Sequence, residues 1–203
     1  MKRLTVLVLL VCGTGSAPAQ EDSLWRSAIE DHIERMDAEF KDPAHSPLTE
    51  EDRAEFTHLD RFGPDPAYVV QATFRPAKRP VRFGMRTSTD RTPEYEDIGV
   101  LHFRLKGRKC RLHVYRNVEL ARQEEYRNAL FVPFTDASNG EESYGGGRYL
   151  DLEGPLGRTV EVDFNRAYNP YCAYNARYSC PVPPRENHLD LPVHAGVRSY
   201  KAH

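Results

Sequence analysis

The sequence holds no apolar run long enough to span a bilayer; its longest, Leu4 to Cys12, is about half the required length. Charge of one sign is also lacking. The chain carries 28 basic and 30 acidic residues, a formal charge of −2, so no basic excess points to nucleic acid. Three familiar signatures are missing: a Gly-x-Ser-x-Gly elbow, a His-Glu-x-x-His metal motif and a Gly-Lys-Ser/Thr phosphate loop. No internal repeat or domain boundary stands out. Cysteine is sparse, at positions 12, 110, 172 and 180.

What is present begins with an address. Met1-Lys2-Arg3 precedes the short apolar run, and Ala17-Pro18-Ala19 supplies a small-residue cleavage site. Residues 1–19 therefore read as a secretory signal, with a periplasmic or secreted product. Lipid anchoring through Cys12 is the alternative, disfavoured by the bulky Val11 before it. Loss of Lys2 and Arg3 takes the formal charge from −2 to −4. The remaining residues, 20–203, fit one soluble domain able to bury a core.

Residues 20–66 read as a helical segment. Leu24, Ala28, Ile29, Ile33, Met36 and Phe40 recur at helical spacing, predicting an amphipathic helix over Glu21–Lys41. A second short helix is expected after Thr49, whose hydroxyl sits where a cap belongs, with Phe56 and Leu59 as its buried face. Residues 67–203 read as a β-rich body. Strands are expected at Tyr68–Phe74, Val81–Met85, Ile98–Leu105, Cys110–Tyr115, Leu130–Phe134, Arg148–Leu152, Arg158–Phe164 and Leu189–Val197. A turn at Gly107-Arg108 would pair Leu105 with Cys110 and Phe103 with Leu112, and would make His102 and His113 neighbours. A metal there is disfavoured by the surrounding cations, so none is expected. The fold class is α+β: one or two N-terminal helices on an antiparallel roll or barrel-like sheet, followed by an irregular Pro-rich segment.

The chemistry-bearing residues crowd the C-terminal third. Along Thr159–Asn165, Val160, Val162 and Phe164 share one face; Glu161, Asp163 and Asn165 share the other. The strand runs into an aromatic segment that ought to fold back over the sheet, so Asp163 and Asn165 need partners. Arg148 opens a strand beside a Gly-rich loop and can pair with Asp136, Asp151 or Asp163. Cys172 and Cys180 flank a short irregular loop, which leaves a disulfide, a reactive thiol or two buried thiols open.

Several stretches together resemble one family. They are Phe131-Val132-Pro133-Phe134-Thr135-Asp136, Gly147-Arg148-Tyr149-Leu150-Asp151, Asp163-Phe164-Asn165-Arg166-Ala167-Tyr168-Asn169-Pro170, Cys172-Ala173-Tyr174, and Cys180-Pro181-Val182-Pro183-Pro184 with Glu186-Asn187. They are similar to the bacterial and archaeal family catalogued as domain of unknown function 1684. One departure is Val197-Arg198, where the family more often has Glu-Lys. The resemblance implies no reaction and no cofactor. It implies that Cys172 and Cys180 are kept in relatives without an export signal, which argues against a purely structural disulfide.

Three readings follow. In a catalytic one, Cys172 is the nucleophile or redox thiol, Asp163 its base or orienting group, and Arg148 and Asn165 hold an anionic group. In a binding one, Tyr168, Tyr171, Tyr174 and Tyr178 line a pocket for a small molecule, with Asp136, Arg148, Asn165, Asn169, Cys180, Glu186 and Asn187 around it. In a structural one, the same residues only secure the fold.

Overall fold

A computed structural model describes residues 18–200. The signal segment Met1–Ala19 lies almost wholly outside them, as does Cys12. The order of the main elements is α1 (Pro18–Lys41), α2 (Glu50–Glu55), β1 (Val69–Gly84), β2 (Glu94–Leu105), β3 (Arg108–Asn117), β4 (Ala129–Asp136), β5 (Arg148–Glu153), β6 (Thr159–Asp163) and β7 (His188–Leu189). The strands form a curled antiparallel half-barrel in the order β5-β4-β3-β2-β1-β6, with the short β7 added parallel to β4. Two helices, one of them long, pack on it. This is the expected α+β class.

The helices follow local chemistry. In α1, Ile29 and Phe40 are buried. The Thr49 side chain accepts the Asp52 amide at 3.1 Å and caps α2. That helix buries none of its own residues. Leu59 is buried just beyond it, and Phe56 is half-buried at its end.

The core fills the concave side of the sheet. Leu101, Phe103 and Leu105 of β2 meet Leu112 and Val114 of β3, with Val132 and Phe134 of β4 and Val162 of β6. The hairpin departs from expectation in register. Leu105 faces Arg108, Phe103 faces Cys110, and Leu101 faces Leu112. The turn is Lys106-Gly107, with φ of 47° and 81°. Positive φ at both positions is the type I′ pattern, which matches strand twist and moves the turn by one residue. The pairing thereby slips by two residues, an even number, so the apolar face survives. His102 now faces Arg111 and His113 faces Val100, so the two histidines are not cross-strand partners.

Two further corrections concern continuity. The two strands expected before Met85 are one, β1, interrupted by a register shift between Pro76 and Val81. Proline cannot donate to a ladder, and the bulge takes up the mismatch. The expected last strand, Leu189–Val197, is a strand only at its first residue. Leu191, Val193, Ala195 and Val197 are buried in alternation as in a strand. The Leu191 carbonyl accepts the Ala137 amide and Val197 bridges Arg61, but the carbonyls of Val193, Ala195 and Val197 are held by something else.

Candidate functional site

That something is Arg148. The side chain opens β5 and is fully buried. One guanidinium nitrogen donates to the carbonyls of Ala195 (2.5 Å) and Val197 (3.4 Å). Another donates to Asp136 Oδ2 (2.9 Å) and the Val193 carbonyl (2.7 Å). Asp136 completes the knot: its Oδ1 accepts the Val193 amide at 3.0 Å and the Ser138 hydroxyl. Burial pushes the Arg148 pKa down and the Asp136 charge pushes it back up. Of the three acids open to Arg148, the structure selects Asp136. Both side chains are sealed from solvent, with the Arg148 Nε left buried without a partner among the described residues, so they offer a ligand no surface.

The Asp163 and Asn165 side chains are also tied inward. Asp163 Oδ1 accepts the Asn165 amide (2.9 Å) and side-chain amide (2.7 Å). Asp163 Oδ2 accepts the Trp25 indole N–H from α1 at 3.0 Å. Asn165 Oδ1 accepts the Asp65 amide at 2.9 Å, and its Nδ2 donates to the Asp65 carbonyl at 3.0 Å. The motif strand is thus stitched to the helix and to the loop before β1. Asp163 and Cys172 share no partner, so the pairing of Asp163 as base with Cys172 as nucleophile does not arise.

Asn187 occupies a gap in the sheet. β3 and β4 register only at Tyr115 and Phe131. Asn187, fully buried, accepts the His113 amide at 2.7 Å and donates to the carbonyls of His113 (3.0 Å) and Pro133 (2.7 Å). Its amide acts as a piece of ladder between the splayed strands. Glu186 beside it accepts the Tyr115 hydroxyl at 3.2 Å.

Two arrangements remain partly open to solvent. The first is a cleft of about 350 Å³ between α1 and the segment after β6. His32, Met36, Glu39 and Phe40 form the helix wall; Asp151, Arg166, Tyr168, Asn169 and Tyr171 form the other. Tyr168 donates to Asp151 Oδ2 at 2.7 Å and Tyr171 to Glu39 Oε1 at 2.9 Å. Burial holds the Asp151 carboxyl above its ordinary pKa, although the residue as a whole keeps an exposed edge. Burial, with the Arg166, Arg35 and Arg61 charges, drives His32 down to about 4, leaving a neutral imidazole. Arg166 is half-exposed, its Nε 3.7 Å from Asp163 Oδ2. Asn169 is buried beneath, donating to the Arg198 carbonyl at 2.7 Å. Tyr174 is buried against Phe40, edge to face at 4.8 Å.

The second arrangement is the cysteine pair. Cys172 and Cys180 are both free thiols, Cys172 half-buried and Cys180 buried. The Cys172 amide donates to Cys180 Sγ at 3.1 Å. The Tyr144 hydroxyl lies 3.9 Å from Cys172 Sγ.

A larger, shallower groove of about 570 Å³ lies on the basic face near β7, lined by Arg108, Lys109, Arg111 and Arg185 among others. Glu186, Asp190, His102 and His188 share its walls with these cations. Among the described residues, no group of three or more His, Cys, Asp or Glu is placed to hold a metal ion, and no helix is long and apolar enough to cross a membrane. The helix contribution to the cleft was not legible in sequence. His32, Met36 and Glu39 lie at spacings of four and three on α1, a pattern that also describes an ordinary buried stripe.

The half-barrel with its helical cover defines an α+β class of small domain, and a solved structure shares it. An uncharacterized protein of Haloarcula marismortui, determined by solution NMR, is similar with a TM-score of 0.70 and 36% identity, over 91% of this chain and 99% of that one. The model of the family described as protein of unknown function DUF1684 matches residues 54–198, and the chain belongs to that family. No curated protein matches it.

Proposed function

We propose that this chain is an exported domain that binds a small organic acid in the cleft between α1 and the Arg166–Tyr171 segment. One observation carries the reading. Two tyrosine–carboxylate pairs, Tyr168–Asp151 and Tyr171–Glu39, flank an apolar floor of Met36 and Phe40, and Arg166 is the cation left at the rim. The volume falls within the range of small-molecule sites. Each cleft carboxylate is already satisfied by a phenol, so the donor for a ligand is the Arg166 guanidinium, half-exposed and tied to the protein by the 3.7 Å contact of its Nε with Asp163. The ligand class that fits presents an apolar body to Met36 and Phe40 and a carboxylate to Arg166.

A titration of the isotope-labelled protein with a panel of aliphatic and aromatic monocarboxylates tests this. The amides of Arg166, Tyr168 and Tyr171 are expected to shift, and Arg166→Ala to weaken binding about tenfold or more. A panel without a saturable shift there would remove the reading. Export rests on the n-region, apolar run and Ala17-Pro18-Ala19. N-terminal sequencing of the protein from a periplasmic or culture fraction, expected to start at Gln20, tests it.

A second reading has its own support. The closed hydrogen-bond set of Asp163 and Asn165 suits a segment that secures the fold. Asn165→Ala then lowers melting temperature without altering carboxylate affinity measured below that temperature.

A further inference from the structure

The cysteine pair lies outside the cleft-lining set and has a chemistry of its own. The two thiols are neighbours, eight residues apart in the chain, tied by the Cys172 amide, which donates to Cys180 Sγ at 3.1 Å, and no bond joins them. Their environments differ. Cys172 Sγ has the Tyr144 hydroxyl 3.9 Å away. Cys180 is nearly sealed, and its own amide donates to Ser88 Oγ at 3.1 Å. One sulfur is therefore partly accessible and beside a hydroxyl; the other is buried and accepts a backbone amide.

We propose that Cys172 and Cys180 form a thiol–disulfide exchange couple whose substrate is a disulfide, with Cys172 attacking and Cys180 resolving. The donors around Cys172, the Cys180 thiol foremost, pull it down to about 6 against the opposing effect of burial. Hydrogen bonding to Cys172 and burial push Cys180 up. At neutral pH the accessible sulfur is thus the thiolate and the buried one keeps its proton. The Cys172 thiolate attacks one sulfur of R–S–S–R′. A mixed disulfide forms at Cys172 and R′S⁻ departs. Cys180, having lost the thiolate that accepted its hydrogen bond, passes its proton to R′S⁻. The Cys180 thiolate then attacks the Cys172 sulfur, closes the 172–180 disulfide and expels RS⁻, which takes a proton from water. The substrate gains two electrons as two thiols, and the cysteine pair loses two.

The surroundings favour a disulfide over a peroxide. Among the described residues, no Lys, Arg or His side chain hydrogen-bonds to Cys172 Sγ. Attack on a peroxide expels an alkoxide or hydroxide that calls for such a cation, whereas attack on a disulfide expels a thiolate, itself a good leaving group. Tyr144 is a positioning residue here: it supports the Cys172 thiolate, and burial together with the two cysteines pushes its own hydroxyl up to about 12.

The test uses the reduced full chain in buffers of graded oxidised and reduced glutathione, quenched with acid, alkylated and mapped by mass spectrometry. The 172–180 disulfide is expected to rise with the oxidised fraction while Cys110 stays free. In Cys180→Ser, glutathione accumulates on Cys172. The alkylation rate of Cys172 in wild type levels off above pH ~7, where an ordinary thiol of pKa about 8.5 is still climbing, and Tyr144→Phe moves that midpoint upward. Three results overturn the proposal. The disulfide fails to form at any ratio; once formed it resists excess dithiothreitol, which marks a fixed staple; or hydrogen peroxide forms it while oxidised glutathione does not. All three are read on wild type, whether or not the variants fold.

Discussion

Single residues in this chain do work usually given to whole strands. The Arg148 guanidinium binds three carbonyls and one carboxylate with no solvent access. Removing one partner of such a set leaves the other charged and buried. Arg148→Met is expected to cost about 3–5 kcal/mol in urea unfolding. Adding Asp136→Asn to that variant should recover part of the loss, because the orphaned charge goes with it. His32 makes a different prediction, in pH. Its folded pKa, about 4, lies below the ordinary value of 6.5. Between those values the unfolded chain holds the extra proton, so stability from this group is complete above pH 6.5 and is lost as pH falls toward 4. Melting temperature followed from pH 7 to about 4 should fall more steeply in wild type than in His32→Gln.

At the scale of elements, the sheet is closed by substitutes for ladder bonds. Asn187 bridges β3 and β4 where the strands diverge. Asn187→Ala would strand the His113 amide and two carbonyls in the interior, a loss of about 2–3 kcal/mol. Native-state hydrogen exchange at the His113 amide should accelerate by more than the global stability change explains. Gly99 makes the matching point in β2. Its φ is +148°, and a Cβ there would meet the Arg75 carbonyl oxygen at 2.4 Å. Gly99→Ala is expected to lower the melting temperature by several degrees through strain at the β1–β2 bulge. These devices explain what the sequence disclosed. The strands and the apolar face of the hairpin were legible because alternation of Leu101, Phe103 and Leu105 fixes a face. Register was not, because a slip of two residues leaves that alternation unchanged. The final segment shows strand-like alternation at Leu191, Val193 and Ala195, yet its Val193, Ala195 and Val197 carbonyls and its Val193 amide pair with side chains, which periodicity cannot report.

For the whole molecule, the same motif divides into an interior part and a surface part. Asp136, Arg148, Asn165 and Asn187 were singled out for their polarity, and each is buried with its hydrogen bonds spent on backbone or neighbouring side chains. Tyr168, Tyr171 and Cys172 keep partial access. A dense polar motif marks both kinds of residue alike, since buried polar groups need partners as much as active ones do. Only the fold separates them, by setting α1 across the segment after β6. Trp25 and Asp163 hold that placement. Trp25→Ala should therefore loosen the cleft wall. Carboxylate affinity is expected to fall while the 172–180 exchange chemistry, which has no contact with Trp25 or Asp163, continues.

The Arg148 knot also sets a timetable. Its guanidinium reaches carbonyls 47 and 49 residues further along the chain, and those carbonyls lie within ten residues of the C-terminus. Until that segment arrives, the guanidinium in the forming core has Asp136 but none of its three carbonyl partners. Premature compaction is thereby penalised, and the last step of folding waits for residues up to 49 positions beyond Arg148. The residue that locks the finished structure is thus among the last to find its full set of partners.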